Sequence, residues 1–135
     1  RRKDSSSLLK IGKKQTEFFP GTDFDSIEKV EISNLSSFIS QELINPKVLV
    51  KIDVQGFELE VLKGSEDLIK CFDYIYVECS YKELYESQPL VSEVVQFLFK
   101  KGFRLEGVYN NFFDGKGIAI QADFLFKNQQ KNFNI

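Results

Sequence analysis

The sequence predicts an α/β fold: a sheet of parallel strands that ends in an antiparallel hairpin. Three observations carry this. Residues 48–54 and 74–77 are mostly apolar runs of strand length. Segments of helical period follow each of them, in the alternation that builds a sheet with crossover helices. Two alternating segments, 103–109 and 118–126, then flank a loop that contains Asp114-Gly115, a hairpin signal.

Taken in order, residues 1–26 are rich in Lys, Ser, Asp and Gly and read as an irregular lead-in. Residues 28–32 alternate, with Lys29 and Glu31 polar and Val30 and Ile32 apolar, a short strand signal. Ser33 or Asn34 is placed to cap a short helix over 35–40 or a little beyond, and Asn45-Pro46 ends it. The run 48–54, with Lys51 inside it, suits a parallel strand covered on both faces. In the helix that follows, Phe57, Val61 and Leu62 share one face, and Gly64 stands as its C′ residue. Ser65 restarts a helical turn, whose apolar face continues through Leu68, Ile69 and Phe72.

Strand 74–77 ends at Glu78, and a loop over 80–88 carries Tyr81 and Tyr85. Pro89 fits the first position of the next helix. Leu90, Val91, Val94, Val95, Phe97 and Leu98 form its buried stripe, and Gly102 stops it. Residues 110–117 read as a turn-rich loop, and the Asn/Gln/Lys-rich tail frays.

Composition narrows the function classes. The chain has 135 residues, 42% hydrophobic and 28% charged, enough for one domain with a core. Its net charge of −2, with both signs interspersed, argues against a dedicated nucleic-acid or anionic-membrane binder. No run approaches the ~20 apolar residues of a membrane span, and no secretory signal pattern opens the chain. A cytoplasmic protein is expected, with Cys71 and Cys79 as inert thiols. Histidine is absent, which removes the commonest general base and zinc ligand. Methionine is absent even at position 1, so a processed product or a piece of a longer protein is expected.

The most informative stretch is Lys51-Ile-Asp-Val-Gln-Gly-Phe-Glu-Leu-Glu-Val-Leu-Lys-Gly64. It reads as a buried strand ending in a carboxylate, a glycine turn, and a helix with an acidic first turn. Ligands of open α/β sheets bind outside the carboxyl ends of the strands, where Asp53 and Glu58 fall.

With Val48-Leu-Val before it, this stretch resembles the FkbM family of S-adenosylmethionine-dependent methyltransferases. That family carries lysine-isoleucine-aspartate, then glutamate or glutamine, glycine, one residue, glutamate, and a leucine before a glycine. Tyr76-Val77-Glu78 is similar to its next strand, and Gly102-Phe103 with Gln121-Ala-Asp-Phe-Leu-Phe126 to its terminal hairpin. The resemblance covers roughly residues 26–126. It implies the C-terminal half of a Rossmann-like methyltransferase sheet over 27–127, preceded by the lead-in 1–26 and followed by a polar tail 128–135. It also implies the cofactor S-adenosyl-L-methionine and methyl transfer to a hydroxyl of a sugar or other small molecule. In that family the cofactor sits on a glycine-rich turn after the first strand. No G-x-G follows a strand upstream of Val48, so this chain is expected to supply the acceptor side.

Methyl transfer from a sulfonium to a hydroxyl needs the acceptor oxygen in line with the breaking C–S bond and a group that takes the proton. Without histidine, a carboxylate is the expected base: Asp53 is the first candidate, Glu58 the second, and Glu78 ends the neighbouring strand, with Asp53 also toward the cofactor. Glu78 lies only ~5 Å to the side of Asp53 if their strands pair, close enough for each to raise the other's pKa. Gln55, Gly56, Tyr81 and Tyr109 are candidates for acceptor binding, with Tyr85 and the 110–113 loop nearby. Each has a plain structural reading. Asp53 or Gln55 caps the helix, Glu58 meets its dipole, Glu78 bonds loop amides, and Phe112 and Phe113 pack at a rim. A carboxylate cluster also suits Mg²⁺, although the resemblance requires no metal. Two further expectations come from the fold. The strand 48–54 has a bare outer edge, which invites self-association. A non-catalytic half-domain, as a remnant or an association module, is the competing reading.

Overall fold

The computed structural model describes residues 6–24, 26–44 and 47–131. The regular elements are α1 (Lys13–Phe18), β1 (Leu49–Ile52), α2 (Glu58–Gly64), β2 (Tyr74–Ser80), α3 (Val91–Lys100), β3 (Phe103–Phe113) and β4 (Ala119–Asn128). Single 3₁₀ turns occupy Leu35–Ser37, Gln41–Leu43 and Ile69–Cys71. The strands form one sheet in the order β1-β2-β4-β3. β1 and β2 are parallel, and β4 runs antiparallel to both β2 and β3. This is the expected mixed sheet closed by a hairpin.

One face of the sheet makes the core. Ile52, Ile75, Val77, Ala122, Phe124 and Phe126 pack there against Leu62, Leu68, Val94 and Leu98 from the α2 and α3 region. The other face carries the alternate residues, in register: Lys51 beside Tyr76, Tyr76 beside Leu125, and Glu78 beside Asp123. Leu49 and Tyr109 on this second face are 62% and 47% exposed. Strand β1 is therefore covered on one face, not two. Its apolar run serves the core through Ile52 and Val50, while Leu49 and Lys51 stay exposed.

Several local expectations change. Residues 28–32 form no strand, and Val30 and Ile32 are exposed; alternation without a partner ladder does not hold a strand. The 35–40 segment makes one 3₁₀ turn rather than a helix, with Leu35 and Ile39 packed on the core. The Asn45-Pro46 stop lies outside the described residues. Gly64 is the last residue of α2, and Ser65 Oγ donates back to the Val61 carbonyl at 2.7 Å instead of starting a new helix. Pro89 precedes α3, whose start is held by the Leu90 N–H on Glu93 Oε2 at 2.9 Å. β3 continues through residues 110–113, and the hairpin turn tightens to residues 114–117. There Asp114 Oδ1 accepts from the Lys116 and Ile118 amides, both at 2.8 Å.

The lead-in is more ordered than its composition suggests. α1 lies within it, and Ile11 bridges to Tyr85. The Gly12 N–H donates to the Leu84 carbonyl at 2.8 Å, and the Glu86 N–H to the Lys10 carbonyl at 2.9 Å. Leu9, Ile11, Phe18 and Phe19 form a second small core with Leu84, Tyr85 and Ile120. Burial of these few apolar side chains orders an otherwise polar segment.

Candidate active site

The carboxyl ends of β1 and β2 bring Asp53 and Glu78 side by side, because Ile52 pairs with Val77 one step before. The Gln55 amide joins them. Its Nε2 donates to Asp53 Oδ1 at 3.0 Å and to Glu78 Oε2 at 3.1 Å. Lys51 Nζ reaches the other Asp53 oxygen at 2.8 Å. Across the β2–β4 ladder, Asp123 stands opposite Glu78, and the Gln121 side chain bonds Glu78. Asp123 Oδ2 accepts from Tyr76 Oη at 3.0 Å and from Asn110 Nδ2 at 2.6 Å. The Tyr109 and Tyr76 rings lie 6.2 Å apart, centroid to centroid.

The turn between β1 and α2 sets this geometry. Gln55 and Gly56 both have positive φ, 52° and 98°. Glycine suits the second position because a Cβ there meets Leu9 Cδ1 and Tyr85 Cδ2 at 3.2 Å. Gln55 is held in its uncommon conformation from two sides. Ser7 Oγ donates to its carbonyl at 2.5 Å, and Tyr85 Oη donates to its Oε1 at 2.9 Å. Glu58 is buried beneath the turn, and its Oε1 accepts the Gly56 N–H at 2.8 Å. Its position is that of a bracket for the turn.

Three carboxylates within one cluster titrate differently. Burial, with the Asp53 charge next, pushes Glu78 up to about 7; the Asp123 and Glu58 charges add to this and the Gln121 bond opposes it. Asp53 is held below its ordinary value, chiefly by the Lys51 hydrogen bond, which together with Gln55 outweighs burial. Burial raises Glu58 against the pull of the Gly56 N–H and neighbouring amides. The result is one ionised carboxylate beside one that exchanges its proton near neutrality, the separation that acid–base chemistry uses.

Of the residues singled out by sequence, Asp53, Gln55 and Glu78 come together through direct hydrogen bonds. Glu58 and Gly56 shape the turn beside them. Tyr109 stands on the exposed face next to Tyr76. Tyr81 goes elsewhere: its ring lies 5.9 Å from that of Phe124 and packs against the helix-covered core. Phe112 packs on Phe19 at 4.7 Å, as its rim reading expects. Sequence reasoning missed Asp123, Gln121 and Ser7. Alternation along the last strand puts Gln121 and Asp123 on one face, but the pairing of β4 with β2 is what brings that face to Glu78. A groove of about 470 Å³, lined in part by Glu60, Lys63, Glu83, Pro89 and Glu93, shares no residue with the cluster. Among the described residues, no three His, Cys, Asp or Glu side chains are grouped to hold a metal ion, and no helix is long and apolar enough to cross a membrane.

The Methyltransferase FkbM domain matches residues 2–105, from the lead-in into β3. Over 95 residues the chain is 28% identical to the 2-O-methyltransferase NoeI of Sinorhizobium fredii. That alignment covers 70% of this chain and 39% of NoeI, so the chain spans about two fifths of that relative's length. No solved structure matches. The domain match takes in well over half of the chain and contains the whole Asp53–Gln55–Glu78 cluster, so the chain belongs to the FkbM methyltransferase family.

Proposed function

We propose that this chain supplies the acceptor side of an S-adenosyl-L-methionine-dependent O-methyltransferase site, with Glu78 taking the proton of the acceptor hydroxyl. The observation that carries this is the geometry of the carboxyl edge, where Glu78 stands beside Asp53 and one Gln55 amide bridges the two; burial and the Asp53 charge push Glu78 up to about 7. A base is most effective when its pKa lies near the working pH. Asp53, fixed by Lys51 and Gln55, keeps a constant negative charge beside it. The FkbM family membership and the 2-O-methyltransferase activity of the relative NoeI support a hydroxyl as the acceptor. Tyr76 and Tyr109, next to the polar ends of Asp123 and Asn110, suit the apolar faces and hydroxyls of a sugar ring.

The described residues do not form a cradle for S-adenosyl-L-methionine. The glycine turn after β1 gives its Gly56 amide to Glu58, and among the described residues no strand lies outside β1 to offer a ribose a carboxylate. The role read here is therefore confined to orienting the hydroxyl and accepting its proton. On this reading the sheet is the C-terminal half of a Rossmann-like methyltransferase fold.

The test uses the protein in its full natural length, labelled S-adenosyl-L-methionine and a panel of free saccharides. Glu78→Gln is expected to lower kcat by about 10²–10⁴, the range for loss of a general base. In the wild type, kcat/KM should rise with pH through about 7, following the Glu78 titration. A rate for Glu78→Gln within about threefold of wild type, far short of that range, removes Glu78 as the base.

A further inference from the structure

We infer that Tyr85 is a positioning residue: its buried hydroxyl fixes the Gln55 amide so that the two N–H bonds of that amide bridge Asp53 and Glu78. This deepens the reading above and rests on the role given there to Glu78. An amide nitrogen carries two hydrogens, and here each finds a carboxylate, Asp53 at 3.0 Å and Glu78 at 3.1 Å. The amide oxygen then faces the other way and needs a donor. Tyr85 Oη is that donor, at 2.9 Å. Burial and the surrounding Glu78, Glu58 and Asp53 charges push the Tyr85 hydroxyl up to about 12, so it keeps its proton throughout the working range.

Tyr85 is itself fixed on several sides. It is 1% exposed, its N–H and that of Leu84 both donate to Gln88 Oε1, and Gln88 Nε2 bonds Ser80 Oγ at 3.0 Å. The bridge to Ile11 ties it to the N-terminal segment, and its ring lies against Gly56. The orientation of one amide at the carboxyl edge is thus set by a loop some 30 residues away in sequence. The charged and titratable groups around Glu78 are Asp53 and Lys51 from β1 and the turn after it, Glu58 from α2, Asp123 from β4, the neighbouring Cys79 thiol, and Tyr85 itself. The amide donor is the part of this environment that Tyr85 governs.

The test is a ¹³C carboxyl titration of Glu78 in the protein at its full natural length, with the signal assigned by its loss in Glu78→Gln. Tyr85→Phe keeps the ring and removes only the hydroxyl. It should release the amide, withdraw a donor from ionised Glu78, and raise the Glu78 midpoint by about half a pH unit or more. Gln55→Ala should raise it at least as far. In the Gln55→Ala background, Tyr85→Phe should add less than about 0.2 pH units, because the hydroxyl acts through the amide. An unmoved midpoint in Tyr85→Phe overturns the inference. So does an equal further rise in the double variant, which assigns the effect to the ring's surroundings instead. Neither methyl donor nor acceptor is present, so loss of methyl transfer in the wild type sinks the proposed function without touching this result.

Discussion

Glu78→Gln should stabilise the fold at alkaline pH while it removes activity. Glu78 moves from an ordinary 4.5 to about 7 in the folded chain. A carboxyl whose folded value is raised binds its proton more tightly folded than unfolded. Stability therefore falls as pH rises from about 4.5 through about 7, and above that window the full ionisation cost is present. The gap of about 2.5 pH units, at ~1.36 kcal/mol each, sets an upper bound of about 3.4 kcal/mol. Water reaches part of this carboxylate, and screening brings the expected figure to about 1–2 kcal/mol. A glutamine in its place keeps the shape and an acceptor oxygen for the Gln55 amide, and it carries no charge. Urea unfolding followed by circular dichroism at pH 5 and pH 8.5 measures the effect. The stability of Glu78→Gln relative to wild type should grow by about 1–2 kcal/mol between the two. A relative stability that stays constant, or falls at pH 8.5, refutes the claim that Glu78 is held protonated by its surroundings.

Three further outcomes follow from named contacts. Gly56→Ala forces a side chain onto φ 98° and against Leu9 and Tyr85, and should cost about 1–3 kcal/mol in urea unfolding; a loss below about 0.5 kcal/mol contradicts the strain. Asp73 accepts the Val48 N–H at 2.6 Å and Lys131 Nζ at 3.0 Å; burial pushes its carboxyl up, but these bonds outweigh it and hold it below its ordinary 3.8. The resulting stability is present above about pH 4 and lost as pH falls through the lowered value, so Asp73→Asn should cost about 1 kcal/mol at pH 7 and flatten the acid limb between pH 2 and 5. No described strand pairs with the outer edge of β1, and Leu49 beside it is exposed, so light scattering should show concentration-dependent association that Leu49→Lys reduces; a monomer at all concentrations argues against edge pairing.

Where sequence reading succeeds and fails follows from what each signal measures. The apolar runs that became β1 and β2 and the stripe of α3 were legible because burial on the sheet's core face imposes them. Residues 28–32 alternate as the hairpin strands do but have no ladder to join, so pattern without pairing misled. The lead-in failed in the other direction. Its apolar contacts come from Leu9, Ile11, Phe18 and Phe19, and their partners, Leu84, Tyr85 and Ile120, lie some 65 to 111 residues away. The Asp53–Glu78 pairing was legible because parallel neighbours in an α/β sheet share a carboxyl edge. Asp123 and Gln121 were not, because nothing local in the last strand says that it inserts between β2 and β3.

That insertion makes the cluster chemically more uneven. Burial and the Lys51 ion pair already separate Asp53 from Glu78. The return of β4 adds Asp123 on the far side of Glu78, while Lys51 stays on the β1 side, bonded to Asp53. Each carboxylate is then distinguished by its donor. Asp53 has an ammonium, Glu58 has the Gly56 amide, and Glu78 receives the neutral side-chain amides of Gln55 and Gln121. A neutral donor orients a carboxylate without supplying the charge that would hold it ionised. With Asp53 and Asp123 beside it, Glu78 thus keeps a fixed direction and a proton it releases near pH 7. Burial is the larger cause for Glu78, and the ammonium on Asp53 widens the separation by holding that carboxylate below its ordinary value. Burial of Glu78 and the lysine on Asp53 therefore act together to make Glu78, not Asp53, the carboxylate of the pair that titrates near neutrality.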